Sequence, residues 1–501
     1  MEQVASGRHP IGILVKIRRY ALCHYLNLRN PMIESVKITA AGLLLACFFS
    51  GPAAADPAQA PASLAQRLEQ EFKGGYPETR KPTGKVQTVD LVADEAQWGI
   101  VPPYQTAVWA YNGTVPGPVL RVKLGDTLKV RLTNRLEQAT TMHWHGVRVP
   151  NAMDGVPGVT QPPIQPGDSF TYEFTPKDAG TFWFHPHLNS PEQIERGLYG
   201  VLIVEDPKEP KYSQDLVWVL DDWLLEKGAE IYPEFVTRHD LAHDGRWGNL
   251  STVNGRFRPS IPVKAGERIR IRVVNAANGR VFAPALAGLA PKVIAVDGML
   301  TAAPFPLQSF YLAPGNRLDL DVVIPKNAQG QVLAVTDVFD GDPAVLAFLD
   351  VAPEAAVKTP GFEPPKASHF PAWSEAMKAP LNHEFILDAE RGGPYGITWT
   401  IDGKAGHDNL AAVLPFGQFS RLRFTNRSGR LHPMHLHGQF FRLLAVDDQP
   451  ARENFWRDTV LIGPEQSVDI GLVPMDKGLW ANHCHILEHA ESGMMSTIRV
   501  E

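Results

Sequence analysis

The sequence predicts an all-β protein built from three consecutive β-sandwich units. Two observations carry this reading. Most of the chain consists of short β-branched runs separated by Gly, Pro and Asn-Gly turns, and Val122–Thr133 alternates apolar with polar residues as a half-buried strand does. The chain also repeats itself: Gly125 to Asn134, Gly266 to Asn275 and Gly417 to Asn426 share one nine-residue separation. A turn precedes each copy, at Asn112-Gly113, Asn254-Gly255 and Asp402-Gly403, and a further turn follows, at Pro166-Gly167, Pro314-Gly315 and Pro464-Glu465. Three copies of one sandwich unit is the simplest account.

Residues 1–55 read as a targeting region. Lys37 precedes the apolar run Ile38–Phe49, and Ala53-Ala54-Ala55 precede Asp56, which is the charged, apolar and small-residue order of a secretory signal. The run is too short to span a membrane. A start at Met32 and cleavage after Ala55 are expected, giving a secreted or periplasmic protein with no membrane span in the mature chain. A lipoprotein site ending at Cys47 and a twin-arginine signal at Arg18-Arg19 are weaker readings. Residues 56–85 read as a loose polar segment. The first unit then spans 86–206, the second 207–352 and the third 381–501. The stretch Glu205–Lys211 separates the first two, and a linker rich in Pro and Ala, 353–380, separates the last two.

With 501 residues, 44% of them hydrophobic and a net charge of −6, the chain has ample core and no basic excess. Nucleic acid is excluded as a partner, because phosphate binding needs a basic face. Two of the three cysteines, Cys23 and Cys47, fall in the targeting region. Cys484 remains as the sole mature thiol, so no internal disulfide forms and the thiol is free for a metal.

The chemistry lies where the copies differ. Near the C-terminus His483, Cys484, His485, His489 and Met494 crowd into twelve residues. On an extended chain His483 and His485 face one way and Cys484 the other. A Cys with two His and a weak axial Met is a blue-copper ligand set, and His432 is the candidate for the second His. His185 lies 18 residues beyond Gly167 and His483 lies 18 beyond Glu465, so the first and third copies carry His-x-His at one structural place. They also share His-x-His-Gly, as His143-Trp144-His145-Gly146 and His435-Leu436-His437-Gly438. The middle copy has neither and reads as a spacer. Eight imidazoles, four from each outer copy, can therefore converge if those copies meet face to face. Of 17 histidines, His9, His24, His239, His243, His369, His383 and His407 lie outside these motifs and read as surface or structural residues.

These four His motifs, present in order over Val86–Glu501, resemble those of the multicopper oxidases, the three-domain laccase-like proteins. The resemblance implies three consecutive cupredoxin-like Greek-key β-sandwich or barrel domains and four copper ions. It places a type-1 copper on His432, Cys484, His489 and axial Met494, and a type-2 copper on His143 and His435. One type-3 copper takes His145, His185 and His485, and the other takes His187, His437 and His483. The implied reaction passes single electrons from a small reducing substrate, through the edge of His489 or His432, to O2, which becomes water. Asp154 alone reads as an Asp-Gly turn residue; the resemblance makes it a carboxylate beside the copper cluster that supplies protons. The chain departs from the pattern at Ala490, where bacterial relatives usually carry a proton-donating Glu; Glu488 and Glu491 flank that position, either or neither takes its place, and Glu491 is the one expected in the catalytic set. The ten methionines are scattered rather than gathered in an insert, which favours phenols and aromatic amines over cuprous, manganous or bilirubin oxidation. A non-catalytic copper carrier needs only the type-1 ligands, and a nitrite reductase does not need eight histidines.

Overall fold

The computed structural model describes residues 62–75, 81–367, 369–371 and 373–501. The expected targeting region lies outside these residues. Among the described residues six sheets make up the fold, two in each of three stretches of chain. In the first stretch, Val86–Trp98 pairs parallel with Thr127–Asn134, and Leu120–Lys123 pairs parallel with Gly200–Glu205. The second stretch repeats this with Gln214–Trp223 against Arg268–Asn275 and Ser260–Val263 against Ala344–Val351. The third does so with His383–Arg391 against Ser420–Asn426 and Leu410–Leu414 against Met495–Val500. The protein is thus all-β, with three sandwiches of one plan.

The repeated residues have a shared physical task. Asn134, Asn275 and Asn426 are buried at the end of the equivalent strand. Each donates from its side-chain amide to two backbone carbonyls, Gln138 and Ile164, Arg280 and Leu312, or Arg430 and Gly463. Each also accepts from the amide two residues on, at Leu136, Ala277 or Ser428. One side chain satisfies three main-chain groups at a corner that no ladder reaches. The preceding turns place Asn112, Asn254 and Asp402 at φ 54, 53 and 56, each followed by a Gly at positive φ, as a tight hairpin requires.

Burial follows the strand period in the outer units: Leu128, Val130 and Leu132 point into the first core. The middle unit departs from it, since Arg268–Asn275 is buried on both faces. Its second face is covered through ion pairs, with Arg268 on Asp321, Arg270 on Asp319, and Arg272 on Asp215. Arg272 also donates to Thr181 of the first unit at 2.9 Å.

Two connecting segments are more ordered than their composition predicts. The segment expected to be loose contains the helix Leu64–Gly75. Leu64, Leu68 and Phe72 recur at helical spacing among charged residues, and Leu68 and Phe72 are fully buried. Phe72 packs edge-on against Phe419 and Trp456 of the third unit, with centroids 4.7 and 5.8 Å away. The 353–380 linker is strapped down by arginines: Arg421 donates to the carbonyls of Met377 and Ala379, and Arg442 to that of Pro371.

Candidate metal centres

In both outer units the two His motifs lie on neighbouring antiparallel strands. His143 sits opposite His185 between His143–His145 and Gly180–His185. His435 sits opposite His483 between His432–Leu436 and Gly478–Cys484. Side chains paired across strands stand about 5 Å apart, so each unit brings its own four imidazoles together. Alternation then sorts the faces: Trp144 points into the first core, and Cys484 into the third.

The two sets of imidazoles meet at the seam between the first and third units. His143 stacks on His437 at 3.8 Å between centroids, and His145 stacks on His435 at 3.7 Å. His187 and His437 bring their Nε2 atoms to 3.2 and 3.0 Å from His483 Nε2. All eight rings are buried. Burial, followed mainly by repulsion among the rings, holds His145, His185, His187, His435, His437 and His485 far below the usual histidine range. His483 is pushed down to about 4, mainly by burial. Neutral imidazole is the metal-binding form.

Hydrogen bonds choose which nitrogen faces inward. The Nδ1 atoms of His143, His185, His435 and His483 donate to the carbonyls of Asp154, Pro186, Asp458 and Cys484 at 2.8–2.9 Å. His437 Nδ1 donates to Asp154 Oδ2 at 2.8 Å. The Nε2 atoms of His437 and His483 therefore confront each other as two acceptors, an arrangement that a metal ion between them relieves. Nε2 of His143, His185 and His435, Nδ1 of His145, and both nitrogens of His485 are buried without a hydrogen-bond partner. Buried polar atoms left unpaired are costly, and this group of convergent lone pairs fits metal ions.

The second centre lies within the third unit. Cys484 Sγ is 3.6 Å from His432 Nδ1 and 3.9 Å from His489 Nδ1, and the two Nδ1 atoms are 3.3 Å apart. Their opposite nitrogens are fixed, His432 Nε2 by Ser428 Oγ at 2.8 Å and His489 Nε2 by the His243 carbonyl at 2.9 Å. Burial pushes the Cys484 thiol well up, so it becomes a thiolate only in exchange for a metal. His489 is held down at about 3 by burial. Met494 is fully buried beside this group, its N–H on the His489 carbonyl at 2.9 Å and its carbonyl taking the Cys484 N–H at 3.1 Å. Two imidazoles, a thiolate and a thioether make a soft site suited to copper.

Asp154 is fully buried and joins the two units, since its Oδ1 lies 3.3 Å from His143 Nδ1 while its Oδ2 holds His437. The turn it occupies is also real: a Cβ on Gly155 (φ 81) would stand 1.9 Å from the Met142 carbonyl. Of the two acids flanking Ala490, Glu491 is exposed. Glu488 is buried, accepts from Asn278 Nδ2 at 2.8 Å and the Arg246 N–H at 3.0 Å, and is pushed up to about 7, mainly by burial. Both partners belong to the middle unit.

The middle unit is more than a spacer. A Cβ on Gly315 would lie 2.9 Å from His485 Cδ2 and 3.0 Å from His145 Cε1. Arg317, fully buried, grips Asp458, whose Oδ1 lies 3.3 Å from His145 Nε2 and 3.6 Å from His435 Nδ1. Nothing in the sequence marks Asp458, Arg317 or the His243 carbonyl, because each acts through a contact between units.

Family models described as multicopper oxidase match residues 94–209, 214–341 and 378–501. The multicopper oxidase MmcO of Mycobacterium tuberculosis is 30% identical over 84% of this chain and 88% of its own length. A laccase-like multicopper oxidase of Ochrobactrum superposes with a TM-score of 0.73 at 26% identity, over 84% of this chain and all of its own. A Campylobacter jejuni multicopper oxidase described as a metallo-oxidase superposes with a TM-score of 0.71 at 25% identity, over 85% of this chain and 94% of its own. Sandwich plan, His motifs and matches over all three units agree: the chain belongs to the multicopper oxidase family, copper-dependent oxidoreductases that use O2.

Proposed function

We propose that this protein uses four copper ions to take single electrons from a small reducing substrate and pass them to O2. His432, Cys484, His489 and Met494 would hold a type-1 copper. His143 and His435 would hold a type-2 copper, and the sets His145, His185, His485 and His187, His437, His483 two type-3 coppers. The observation that carries this reading is the buried set of unpaired imidazole nitrogens at the seam, combined with a separate thiolate site one residue away along the chain. When bound, the coppers supply one-electron redox steps and the four-electron reduction of O2 to water. The residues do the rest. Cys484 joins both centres covalently, since its neighbours His483 and His485 face the seam while its sulfur faces the third core. Asp154 orients His143 and His437 and is the acid placed to deliver protons there. Asp458, gripped by Arg317, orients His145 and His435.

The donor class divides into two readings. Phenols and aromatic amines are favoured by the scattered methionines. A metal-ion donor is favoured by the closed type-1 site, where His432 and His489 are fully buried and both Nε2 atoms are engaged. The laccase-like and metallo-oxidase neighbours are about equally similar, so likeness does not choose between them. Oxygen uptake by copper-loaded protein with phenols, Cu(I), Mn(II) and bilirubin tests both. Uptake with at least one donor and an intense blue band is expected; neither with full copper loading would refute the oxidase reading.

A further inference from the structure

The cover over the Cys484 centre comes from the middle unit. Its short helix, Arg238–Ala242, begins at Thr237, whose N–H and hydroxyl donate to Asp240 Oδ2 at 2.9 and 2.7 Å while the hydroxyl accepts the Asp240 N–H at 3.2 Å. This capping box fixes the helix start. Three hydrogen bonds then seat the segment on the third unit. The His243 carbonyl accepts from His489 Nε2 at 2.9 Å, the Leu241 carbonyl from Trp399 Nε1 at 3.1 Å, and Asp244 Oδ1 from the Leu431 N–H at 3.0 Å. Trp399 in turn packs on the His489 ring, with centroids 4.3 Å apart.

His239 and His243 stand one helical turn apart on this cover, with ring centroids separated by 4.1 Å and planes tilted by 33°. His243 Nδ1 donates to the His239 carbonyl at 2.8 Å, which leaves its Nε2 as the lone-pair nitrogen. His239 is exposed, so its ring has room to turn, and His243 is half-buried. The adjacent carboxylate of Asp240 is committed to the helix cap, and Asp244 Oδ1 to Leu431. What remains at the surface is a pair of imidazoles.

We propose that His239 and His243 are the docking site of a cuprous ion that serves as electron donor, an inference that rests on the oxidase reading of the Cys484 centre. An imidazole pair without carboxylates suits copper and disfavours ions that want oxygen ligands, such as Mn(II). Docked there, Cu(I) loses one electron and leaves as Cu(II). The electron crosses the His243 side chain, its own main chain and the hydrogen bond from His489. O2 is the final oxidant: four cuprous ions and four protons are consumed per O2, giving two waters. The sealed His489 edge then follows from the design, because the donor acts from outside the cover.

The test uses copper-loaded protein and the variants His239→Ala, His243→Ala and His239→Met; His243→Ala keeps the main-chain carbonyl that closes the site. Ag(I), a redox-inert stand-in for Cu(I), is titrated by calorimetry, and bleaching of the blue band by Cu(I) or guaiacol is followed in stopped flow without oxygen. Both alanine variants should weaken Ag(I) binding and lower the ratio of Cu(I) to guaiacol bleaching rates by about tenfold or more. His239→Met, which returns a soft donor, should restore both. Unchanged Ag(I) binding overturns the site, as does an equal fall in both bleaching rates, which would mark the pair as cover packing only. A parent protein loaded with copper yet lacking a blue band overturns the oxidase reading itself, a result the Ag(I) titration does not depend on.

Discussion

The two candidate metal centres of this protein are built in opposite ways. The eight imidazoles are contributed evenly by the first and third units and exist as a set only where those units meet. The Cys484 centre draws all its side chains from one unit, and another unit closes it. A shared site depends on the seam, so residues that carry no ligand, such as Gly315 and Arg317, enter its geometry. A private site depends on its cover, so what changes there is access and hydrogen bonding to His489. The shortest covalent joint is His483-Cys484-His485, where the strand period sends neighbouring side chains to different centres.

Cys484→Ser should break the comparison most completely. Blue colour and substrate oxidation are expected to vanish while most of the copper at the eight imidazoles stays, as measured by absorption and metal content. A blue variant would end the assignment. Asp154→Asn comes next, acting on the shared site alone. Loss of the exchangeable acid should slow the return of blue colour after O2 is added to reduced enzyme by about 10²-fold, with anaerobic bleaching by substrate unaffected. Recolouring at the parental rate, with copper content matched, would leave Asp154 a turn residue and a clamp on two rings.

Gly315→Ala tests whether the middle unit shapes the shared site. The added methyl would press on His485 and His145 at a backbone of φ 87, where a side chain is strained. Copper affinity at the imidazole cluster should fall about 10-fold or more, with the blue band kept; full loading and normal turnover would show the middle unit is only a neighbour. The smallest change is expected from Met494→Leu, confined to the private site. Removing a weak thioether ligand should raise the reduction potential of the blue centre without dispersing it. An unchanged or lower potential in a redox titration would remove Met494 from the ligand set.

Much of this was legible in residues with a period or a spacing. Asn134, Asn275 and Asn426 mark the three-fold plan because a buried corner needs an amide that can donate twice and accept once. The His pairs are visible because paired strands need alternate residues on one face. The helix Leu64–Gly75 escaped because three apolar residues in a polar segment gain meaning only from Phe419 and Trp456, which lie more than three hundred residues away. Glu488 and Glu491 were indistinguishable in sequence; burial against Asn278 and Arg246 separated them.

The sequence by itself determined the all-β class, the repeat, the ten histidines with Cys484 and Met494 as a candidate metal-binding set, and the separation of Cys484 from its neighbours by strand alternation. These are local properties, set by which residues follow one another. Only the tertiary structure decided which ring nitrogens are left without a partner, that Asp154 and Asp458 reach candidate ligands from different units, that Gly315 presses on two of the rings, and that the His243 carbonyl closes the His489 edge. Each of those depends on surfaces meeting across units, and a hydrogen bond between residues hundreds of positions apart leaves no period in the chain.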